Sequence, residues 1–216
     1  MAILTTEAVL LRRRDLRETS VLLTCLTAQA GKIVGMRKGV RGPRGVDGYL
    51  EPFTIQTIVY YERPRAEIDL ITQCDVQEPF LGIRRDLAKT AYASYFCELM
   101  DRLVQLRDPH PELYELLVRA LGALQESPVP SQVARFFEAR LLAASGVLPP
   151  SEALGFSRGA ALSLAQMLEA SWGEVARLRL ARPVEEELTA RLQQLLLQHT
   201  EARVKSLDFL HEVGVA

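Results

Sequence analysis

Cysteine and histidine are scarce in this sequence, and the few that occur are far apart. The chain has three residues of each type among 216, and no two cysteines form a Cys-x-x-Cys pair. Cys25, Cys74 and Cys97 therefore predict neither a disulfide framework nor a thiolate zinc site. Cys25 and Cys97 lie in apolar segments, where we expect buried, unreactive thiols. The histidines fall in different predicted elements, without the spacing that brings two imidazoles to one metal ion.

Long apolar runs and a targeting segment are missing as well. No stretch approaches the length that is needed to span a bilayer. Residues 1–7 lack the basic start and the small-residue cleavage site of a secretory signal. Hydrophobic residues make up 48% of the chain and charged residues 25%, which is the balance of an ordinary globular protein. We therefore expect a cytoplasmic protein.

Motifs of the common enzyme classes do not occur. The chain has no Gly-x-Ser-x-Gly elbow, no phosphate-binding loop and no dinucleotide-binding glycine pattern. The run of Glu185, Glu186 and Glu187 leaves open a nuclease with an acidic metal site. An acidic cluster in the first turn of a helix is, however, usually a solvent-exposed face that matches the helix dipole. We predict a protein that is not an enzyme and has no cofactor.

Positive charge is concentrated near the start of the chain, although the net charge is only −1. Residues 1–48 contain nine lysines and arginines and four acidic residues, a local balance of +5, so the remainder carries −6. Such an asymmetry indicates a polyanionic partner. A basic face that only aids solubility is the alternative.

The first 78 residues have the alternating pattern of short β-strands. Glycine and proline turns separate the segments, and no helical pattern interrupts them. Five strands in about eighty residues predict a small barrel, either an OB-fold or an SH3-like barrel, between which periodicity cannot choose. The predicted strands cover residues 7–11, 19–27, 33–38, 53–61 and 67–72.

From residue 79 onward the apolar residues follow a helical period. Prolines and glycines divide this part, and Ser131, Ser157 and Ser171 are placed to cap helices. Residues 147–160 have the composition of a loop. The predicted fold class is therefore α+β, a barrel followed by an all-helical domain. The main predicted helices cover residues 86–104, 112–125, 131–144 and 203–213, with another that begins at Pro183.

A basic, glycine-rich segment between the third and fourth predicted strands is the most specific feature of the barrel. Residues 37–45 have the sequence Arg-Lys-Gly-Val-Arg-Gly-Pro-Arg-Gly. The glycines let the backbone approach a phosphate chain that the cations neutralise, although a solvated turn can have the same composition. The candidate DNA-binding residues of this segment are Arg37, Lys38, Arg41 and Arg44.

Arg12 and Arg14 are further candidate DNA-binding residues, because they belong to the positively charged first 48 residues of the chain. Consecutive residues of a strand point to opposite faces, so at most two of Arg12, Arg13 and Arg14 can share one surface. Aromatic rings, on which unpaired bases usually stack, are few. We therefore expect binding that depends on phosphates and weakens steeply with salt. The ring candidates are Tyr49, Phe53, Tyr60 and Tyr61.

Several short segments resemble the RecO family of bacterial recombination mediators. Residues 10–20 are similar to the opening of that family, a strand followed by an acidic turn that contains Glu18 and Thr19. The occurrence of further matching segments in the same order and at similar spacing carries the resemblance. These segments are residues 31–33, 38–41, 50–53, 78–80, 84–87 and 203–210.

The resemblance implies an OB-fold domain over residues 1–78 and a helical domain over residues 79–216. It also implies binding of single- and double-stranded DNA, annealing of complementary strands, and partnership with RecR. Together these would load RecA onto strands coated by the single-stranded-DNA-binding protein, SSB. By motif position, DNA contact falls on Lys38, Arg41 and Arg44. Arg203 and Lys205 are the candidates for docking the acidic C-terminal tail of SSB.

In one respect the sequence departs from the family pattern. Many members carry two Cys-x-x-Cys pairs that coordinate zinc after the third helix, whereas residues 146–157 of this chain are short and contain no cysteine. We therefore expect no zinc. A protein-only adaptor, whose barrel binds a partner protein and not DNA, is the alternative function.

Overall fold

The computed structural model describes residues 2–16, 19–40, 50–63, 66–175, 179–200 and 203–214. The chain divides into two compact units that interleave along the sequence. The first comprises Met1–Leu81 and Cys97–Val118, and the second comprises Gly82–Phe96 and Arg119–Ala216. The domain boundary expected after residue 78 remains a prediction.

Five strands of the first unit form a closed barrel in the order β1-β2-β3-β5-β4. The long first strand pairs with β4 along its first half and with β2 along its second half, which closes the sheet. The β3–β5 pair is parallel, and the other pairs are antiparallel. A closed five-stranded barrel with this order is an OB-fold, which confirms the predicted fold class over an SH3-like barrel. The strands are β1 (Ala2–Leu16), β2 (Ser20–Thr27), β3 (Gly31–Arg37), β4 (Ile55–Glu62) and β5 (Asp69–Glu78).

Alternate side chains of the strands fill the barrel interior, as the two-residue period of a strand requires. Gly35 faces this interior, where a Cβ atom would lie 2.5 Å from side-chain atoms of Ile71. In β1 the register shifts between Leu10 and Arg12, so Leu11 is an extra residue and the alternation changes phase. The buried interior residues include Ala8, Leu10, Val21, Leu23, Cys25, Ile33, Leu50, Ile58, Tyr60 and Ile71.

Helices account for most of the chain after the barrel. The helices predicted over 86–104, 112–125, 131–144 and 203–213 are confirmed to within two residues at each end, and the helix expected from Pro183 begins at Arg182. The described helices are α1 (Leu81–Arg84), α2 (Leu87–Leu103), α3 (Pro111–Glu126), α4 (Pro130–Ala144), α5 (Arg158–Glu169), α6 (Trp172–Val175), α7 (Arg182–His199) and α8 (Lys205–Glu212), with a 3₁₀ turn over Ser151–Leu154.

Within the first unit, residues 97–118 pack on the outside of the barrel. Gly31, at the turn between β2 and β3, has a φ of 65°, and a Cβ atom there would lie 2.2 Å from the carbonyl oxygen of Asp108. Only glycine permits both the backbone conformation and the close approach. The Tyr114 hydroxyl donates a 2.6 Å hydrogen bond to the carboxylate of Glu7 in β1.

The second unit has an aromatic and aliphatic core that encloses the ion pair between Arg135 and Glu138. The rings of Phe96 and Phe137 stack with centroids 4.2 Å apart. Arg135 and Glu138 are 2% and 0% exposed, and the guanidinium donates a 2.8 Å hydrogen bond to the carboxylate. The hydroxyl of Tyr95 donates a second bond, of 2.9 Å, to the same carboxylate oxygen. Burial raises the pKa of Glu138, and the two donors stabilise its charged form.

Two local predictions in the helical part are wrong. Ser131 does not cap α4, because the helix begins one residue earlier at Pro130 with Val129 at the cap position. The Ser131 hydroxyl donates instead to Glu185 at 2.9 Å. Residues 147–160 are not only loop, since they contain the 3₁₀ turn and the start of α5. Ser157 does cap α5, as predicted, by accepting a hydrogen bond from the Ala160 amide.

Candidate nucleic-acid interface

Arg12 and Arg14 lie on the outer surface of the barrel. Both pair with outward positions of β2, whereas Arg13 pairs with Leu23, whose side chain lies in the interior. The bulge in β1 produces this arrangement, because in an unbroken strand Arg12 would share the buried face of Leu10. Arg12 and Arg14 are exposed. The three arginines therefore alternate between the outer and the inner face of the barrel, as the two-residue period of a strand predicts.

Arg13 holds the segment that leads into β4. Its guanidinium donates hydrogen bonds of 3.3 Å to the carbonyl oxygen of Leu50 and to the carboxylate of Glu51. Leu50 is 3% exposed and belongs to the barrel interior. The middle arginine of the triplet thus stabilises the barrel and is less available to a ligand.

Arg37 and Lys38 end strand β3 and differ in their surroundings. Arg37 pairs with Val21 in β2 and with Ile71 in β5. Both partners are buried, so Arg37 lies on the interior side at the end of the barrel, where it is half-buried. Lys38 follows the strand and is exposed. The two adjacent cations therefore do not share a face.

Beyond Lys38 the chain turns back toward the barrel. Gly39 has a φ of 77°, a conformation that favours glycine. The amide of Val40 donates a 2.9 Å hydrogen bond to the carbonyl oxygen of Thr19, and its side chain packs against the barrel interior. The predicted site residues Arg41 and Arg44 lie outside the described residues.

Asp101, near the end of α2, lies between two basic residues of the barrel. Its carboxylate is 3.3 Å from Nζ of Lys32 and 3.4 Å from a guanidinium nitrogen of Arg12. Lys32 also donates to the backbone carbonyl of Asp101. Arg12 remains 57% exposed despite this contact. Arg14 and Lys38 form no ion pair with any residue that the structure describes.

Arg107 holds the loop between β4 and β5, a loop that contributes to oligonucleotide binding in OB-folds. Its guanidinium donates to the carboxylate of Asp69 at 2.9 Å, and to the carbonyl oxygens of Ala66 and Arg63 at 3.0 and 3.3 Å. Asp69 is 1% exposed, so this contact balances a buried charge. Arg63 is exposed and adds a cation for which the sequence contains no clear signal.

The aromatic candidates are placed mainly in the interior. Phe53 and Tyr60 are 9% and 2% exposed, and Tyr49 lies outside the described residues. Tyr61 is half-buried and points outward, because its neighbour Tyr60 points into the barrel. Among the described candidates, Tyr61 alone is available on the outer surface.

The two residues predicted to dock an acidic tail lie in the second unit, at the start of α8. Both Arg203 and Lys205 are exposed. Nε of Arg203 lies 2.7 Å from the carboxylate of Asp208, and this hydrogen bond raises the pKa of the guanidinium. Phe209 lies one helical turn after Lys205 and is 36% exposed, so a cation and an apolar ring share one helix face.

The carboxylates of Glu185, Glu186 and Glu187 in α7 do not point toward one common site. Each of its carboxylates accepts hydrogen bonds from a different partner: Glu185 from Ser131, Glu186 from Arg182, and Glu187 from Ser157. No group of three or more His, Cys, Asp or Glu side chains among the described residues is arranged to hold a metal ion. The geometry therefore gives no support to a nuclease centre at this run.

Two of the three thiols are buried, as the sequence predicts. Burial raises the pKa of Cys97 to about 12 and also raises that of Cys25. Both thiols therefore stay protonated and unreactive near neutral pH. None of the helices that the structure describes has a stretch long and apolar enough to cross a membrane.

Comparison with known protein families assigns both parts of the chain. The family described as Recombination protein O N terminal matches residues 1–80, and the one described as Recombination protein O C terminal matches residues 84–153. The chain belongs to the RecO family. The first match covers the OB-fold barrel and the second begins among the helices, so the resemblance seen in the short motifs is confirmed.

Curated relatives of this RecO-family chain carry the name DNA repair protein RecO. The protein of Anaeromyxobacter dehalogenans (strain 2CP-C) is 30% identical over an alignment of 241 positions, which covers 95% of each chain. That of Moorella thermoacetica is 30% identical over an alignment of 245 positions, which covers 96% of this chain and 90% of the relative. That of Bacillus subtilis (strain 168) is 30% identical over 144 residues, covering 66% of this chain and 56% of the relative.

Proposed function

We propose that this RecO-family chain is a non-catalytic mediator of DNA repair and homologous recombination. It binds single- and double-stranded DNA and anneals complementary strands. With RecR it helps to load RecA onto single strands coated by SSB, in the cytoplasm at the bacterial nucleoid. Membership of a family whose relatives are named DNA repair proteins supports this role, and so does the charge on the barrel.

The observation that carries the proposal is the group of exposed cations at one end of the barrel. Strands β1 and β3 run in the same direction, so Arg14 near the end of β1 and Lys38 after β3 lie at the same end. Arg12 is two residues before Arg14 on the same outer face. Exposed cations on an OB-fold face are suited to phosphates, which single and double strands both present.

The remaining basic candidates are Arg37, Arg41 and Arg44, which belong to the same basic segment of the sequence as Lys38. Arg41 and Arg44 follow Lys38 by three and six residues, and we assign them phosphate contacts. Arg37 is half-buried on the interior side, so we expect it to contribute to the local positive potential more than to direct contact. Binding through several phosphate contacts should fall steeply as salt rises, because each contact releases condensed counterions.

The direct test is fluorescence anisotropy of a labelled single-stranded oligonucleotide, titrated with the full chain at several salt concentrations. The proposal predicts binding at low salt and a steep negative slope of log affinity against log salt. A duplex of the same sequence should also bind. Absence of binding to either ligand at low salt would contradict the proposal.

We further propose that α8 docks the acidic tail of SSB through Arg203 and Lys205. The support is the exposed Phe209 beside Lys205, since an acidic peptide with an apolar end requires a cation next to an apolar surface. Asp208 competes for Arg203 in the free protein. Lys205 should therefore contribute more to peptide binding than Arg203.

A protein-only adaptor is the second candidate function. The burial of Phe53 and Tyr60 favours it, because a single-strand surface usually presents several stacking rings. Weak binding of strands at moderate salt together with tight binding of RecR would support the adaptor over the DNA-binding mediator.

A further inference from the structure

One end of the barrel contains a cavity of about 430 Å³, which we call the end cavity. The start of β1, the turn before β3, the end of β4 and the first residue of β5 line it, together with Arg107 and Pro109. All of these residues belong to the first unit. Arg14 is near the end of β1 and Lys38 follows β3, so the end cavity is at the opposite end of the barrel from these cations. Its volume is that of a small-molecule pocket, which is also large enough for one long side chain.

The floor of the end cavity is formed by the edge of the barrel core. Leu4 and Ala30 are partly buried and pack against the core, and Ile33 and Tyr60 belong to it. These side chains provide an apolar surface on which the aliphatic part of a ligand can lie.

Tyr60 adds a polar group to this apolar floor. The residue is 2% exposed, and its hydroxyl makes no hydrogen bond with any residue that the structure describes. A buried tyrosine hydroxyl usually has a partner, because an unpaired polar group costs free energy. The hydroxyl of Tyr60 is therefore available as donor and acceptor to a group that enters the end cavity.

The charged groups of the end cavity give it a negative potential. Glu62 and Asp69 supply two carboxylates, and Arg107 supplies one guanidinium. Burial raises the pKa of Tyr60, both carboxylates raise it further, and Arg107 opposes them with a smaller effect. The Tyr60 hydroxyl therefore lies close to these three groups, and the negative ones dominate there.

Arg107 is already engaged and leaves one carboxylate open. One of its nitrogens donates to Asp69 at 2.9 Å and to the carbonyl oxygens of Ala66 and Arg63. The Arg63 amide also donates to Asp69, at 2.9 Å, so the charge of Asp69 is balanced. Glu62 is 3.7 Å from the other nitrogen of Arg107, which is its one ion pair among the described residues, and it remains 40% exposed.

We infer that the end cavity binds the side chain of a lysine or an arginine of a partner protein. The aliphatic stem lies on Leu4 and Ile33, and the charged group donates to the hydroxyl oxygen of Tyr60 and to the carboxylate of Glu62. This site is at the other end of the barrel from the proposed DNA surface and goes beyond the proposed function.

Other classes of ligand match the end cavity less well. A phosphate or a carboxylate would meet two carboxylates and a guanidinium that is already engaged, so its charge is opposed. A neutral apolar group would cover the floor and leave the Tyr60 hydroxyl unpaired. A free polyamine has two or more charged nitrogens, whereas the cavity offers the one open carboxylate of Glu62.

The test is an NMR chemical-shift titration of the isotope-labelled full chain with three capped tripeptides. Their central residue is arginine, lysine or citrulline, which has the shape of arginine without its charge. The arginine and lysine peptides should shift the amide signals of Tyr60 and Glu62. Both should bind at least about fivefold more tightly than the citrulline peptide, because the open carboxylate distinguishes charge from shape.

Three variants assign the contacts. Tyr60→Phe removes the hydroxyl and keeps the ring, and Glu62→Gln removes the open negative charge. Each should weaken binding of the arginine peptide about three- to tenfold. Tyr60→Phe should keep the wild-type urea midpoint, since the hydroxyl has no partner among the described residues. The control is Asp75→Asn, which changes net charge equally at an exposed position of β5 about 20 Å along the strand from Asp69, and it should keep the wild-type affinity.

Several results would overturn the inference. These are equal affinities for the arginine and citrulline peptides, equal effects of Glu62→Gln and Asp75→Asn, or no shift of the cavity signals at about 10 mM peptide. Spermidine that binds more than about tenfold more tightly than the arginine peptide would assign the end cavity to a free polyamine and also overturn it. DNA binding is measured separately by the salt titration, so each proposal can fail without the other.

Discussion

The ammonium of Lys32 in β3 lies 3.3 Å from the carboxylate of Asp101 near the end of α2. The same carboxylate lies 3.4 Å from Arg12, so one acid from a helix lowers the positive charge of the candidate DNA surface. Lys32 and Asp101 have side-chain exposures of 12% and 15%, which protects the pair from solvent screening. The charge available to DNA therefore depends on this contact as well as on the number of cations.

Replacing Asp101 by a neutral residue should strengthen DNA binding and lower the free energy of unfolding. We expect Asp101→Asn to raise the affinity for a single strand about two- to fivefold at low salt, because Arg12 loses its competing anion. Stability should fall by about 1–3 kcal/mol, since Lys32 keeps a partly buried charge without its partner. Anisotropy titration and urea unfolding measure the two effects.

Glu98→Gln is the matched control for that substitution. Glu98 is also on α2 and pairs with Arg102 at 3.2 Å, so the change in net charge is identical. Its effect on DNA affinity should be clearly smaller. Equal effects of the two substitutions would show that net charge, and not the contact with Arg12, controls binding.

The buried ion pair of the second unit should be sensitive to the loss of one partner. Arg135→Met keeps most of the side-chain volume but leaves Glu138 buried beside Tyr95 without its cation. We expect a loss of about 3 kcal/mol or more in the free energy of unfolding. Arg182→Met removes an exposed partner of Glu186 and should cause no resolvable loss. Similar urea midpoints for the two variants would contradict this account of the pair.

The alternation of strands could be predicted from the sequence, but its phase in β1 could not. Leu10 and Arg12 are two residues apart and would share a face in a regular strand. The bulge at Leu11 inserts one residue and directs Arg12 and Arg14 outward. Nothing in the local composition marks that bulge, because it arises from pairing with β2.

Contacts between distant segments explain most of what the sequence did not reveal about the site. Asp101 is 69 residues from Lys32, and Arg107 is 38 residues from Asp69. The charge count of the first 48 residues therefore omitted Asp101, which lowers the net positive charge of the barrel surface. Ser131 illustrates the same limit in the helices, since its hydroxyl binds Glu185, 54 residues away, and does not cap α4.

The buried thiol of Cys97 should make stability fall at alkaline pH. Its pKa is raised to about 12 by burial, so the folded chain retains the proton between pH 9 and 12 while the unfolded chain releases it. The stabilising contribution is complete below pH 9 and is lost as the pH rises through 12. In Cys97→Ala the lost packing is independent of pH, so its unfolding free energy should decline less steeply than that of the wild type.

A labelling experiment checks the same burial without a substitution. At pH 8 a thiol reagent should modify Cys74 in the folded chain, because Cys74 is only partly buried. Cys25 and Cys97 should react after denaturation. Rapid modification of all three in the native state would contradict the burial of these two residues.

The tail-docking surface on α8 can be tested by isothermal titration calorimetry with an acidic peptide that ends in phenylalanine. Lys205→Gln should weaken binding, and Arg203→Gln should have a smaller effect because Arg203 is paired with Asp208. Phe209→Ser should also weaken binding, because it removes the exposed apolar ring beside Lys205. Unchanged affinity in all three variants would show that the peptide binds elsewhere.

The most direct test of DNA binding by the outer cations of the barrel is the salt dependence of a charge variant. Arg12, Arg14 and Lys38 are replaced together by glutamine, and a control carries the same substitution at Arg85, Arg158 and Arg191, which are exposed residues of the second unit. With three phosphate contacts removed, the slope of log affinity against log salt should become shallower by about 2 for a single strand. The control should keep the wild-type slope. An unchanged slope and affinity in the barrel variant would contradict the assignment of DNA binding to this surface.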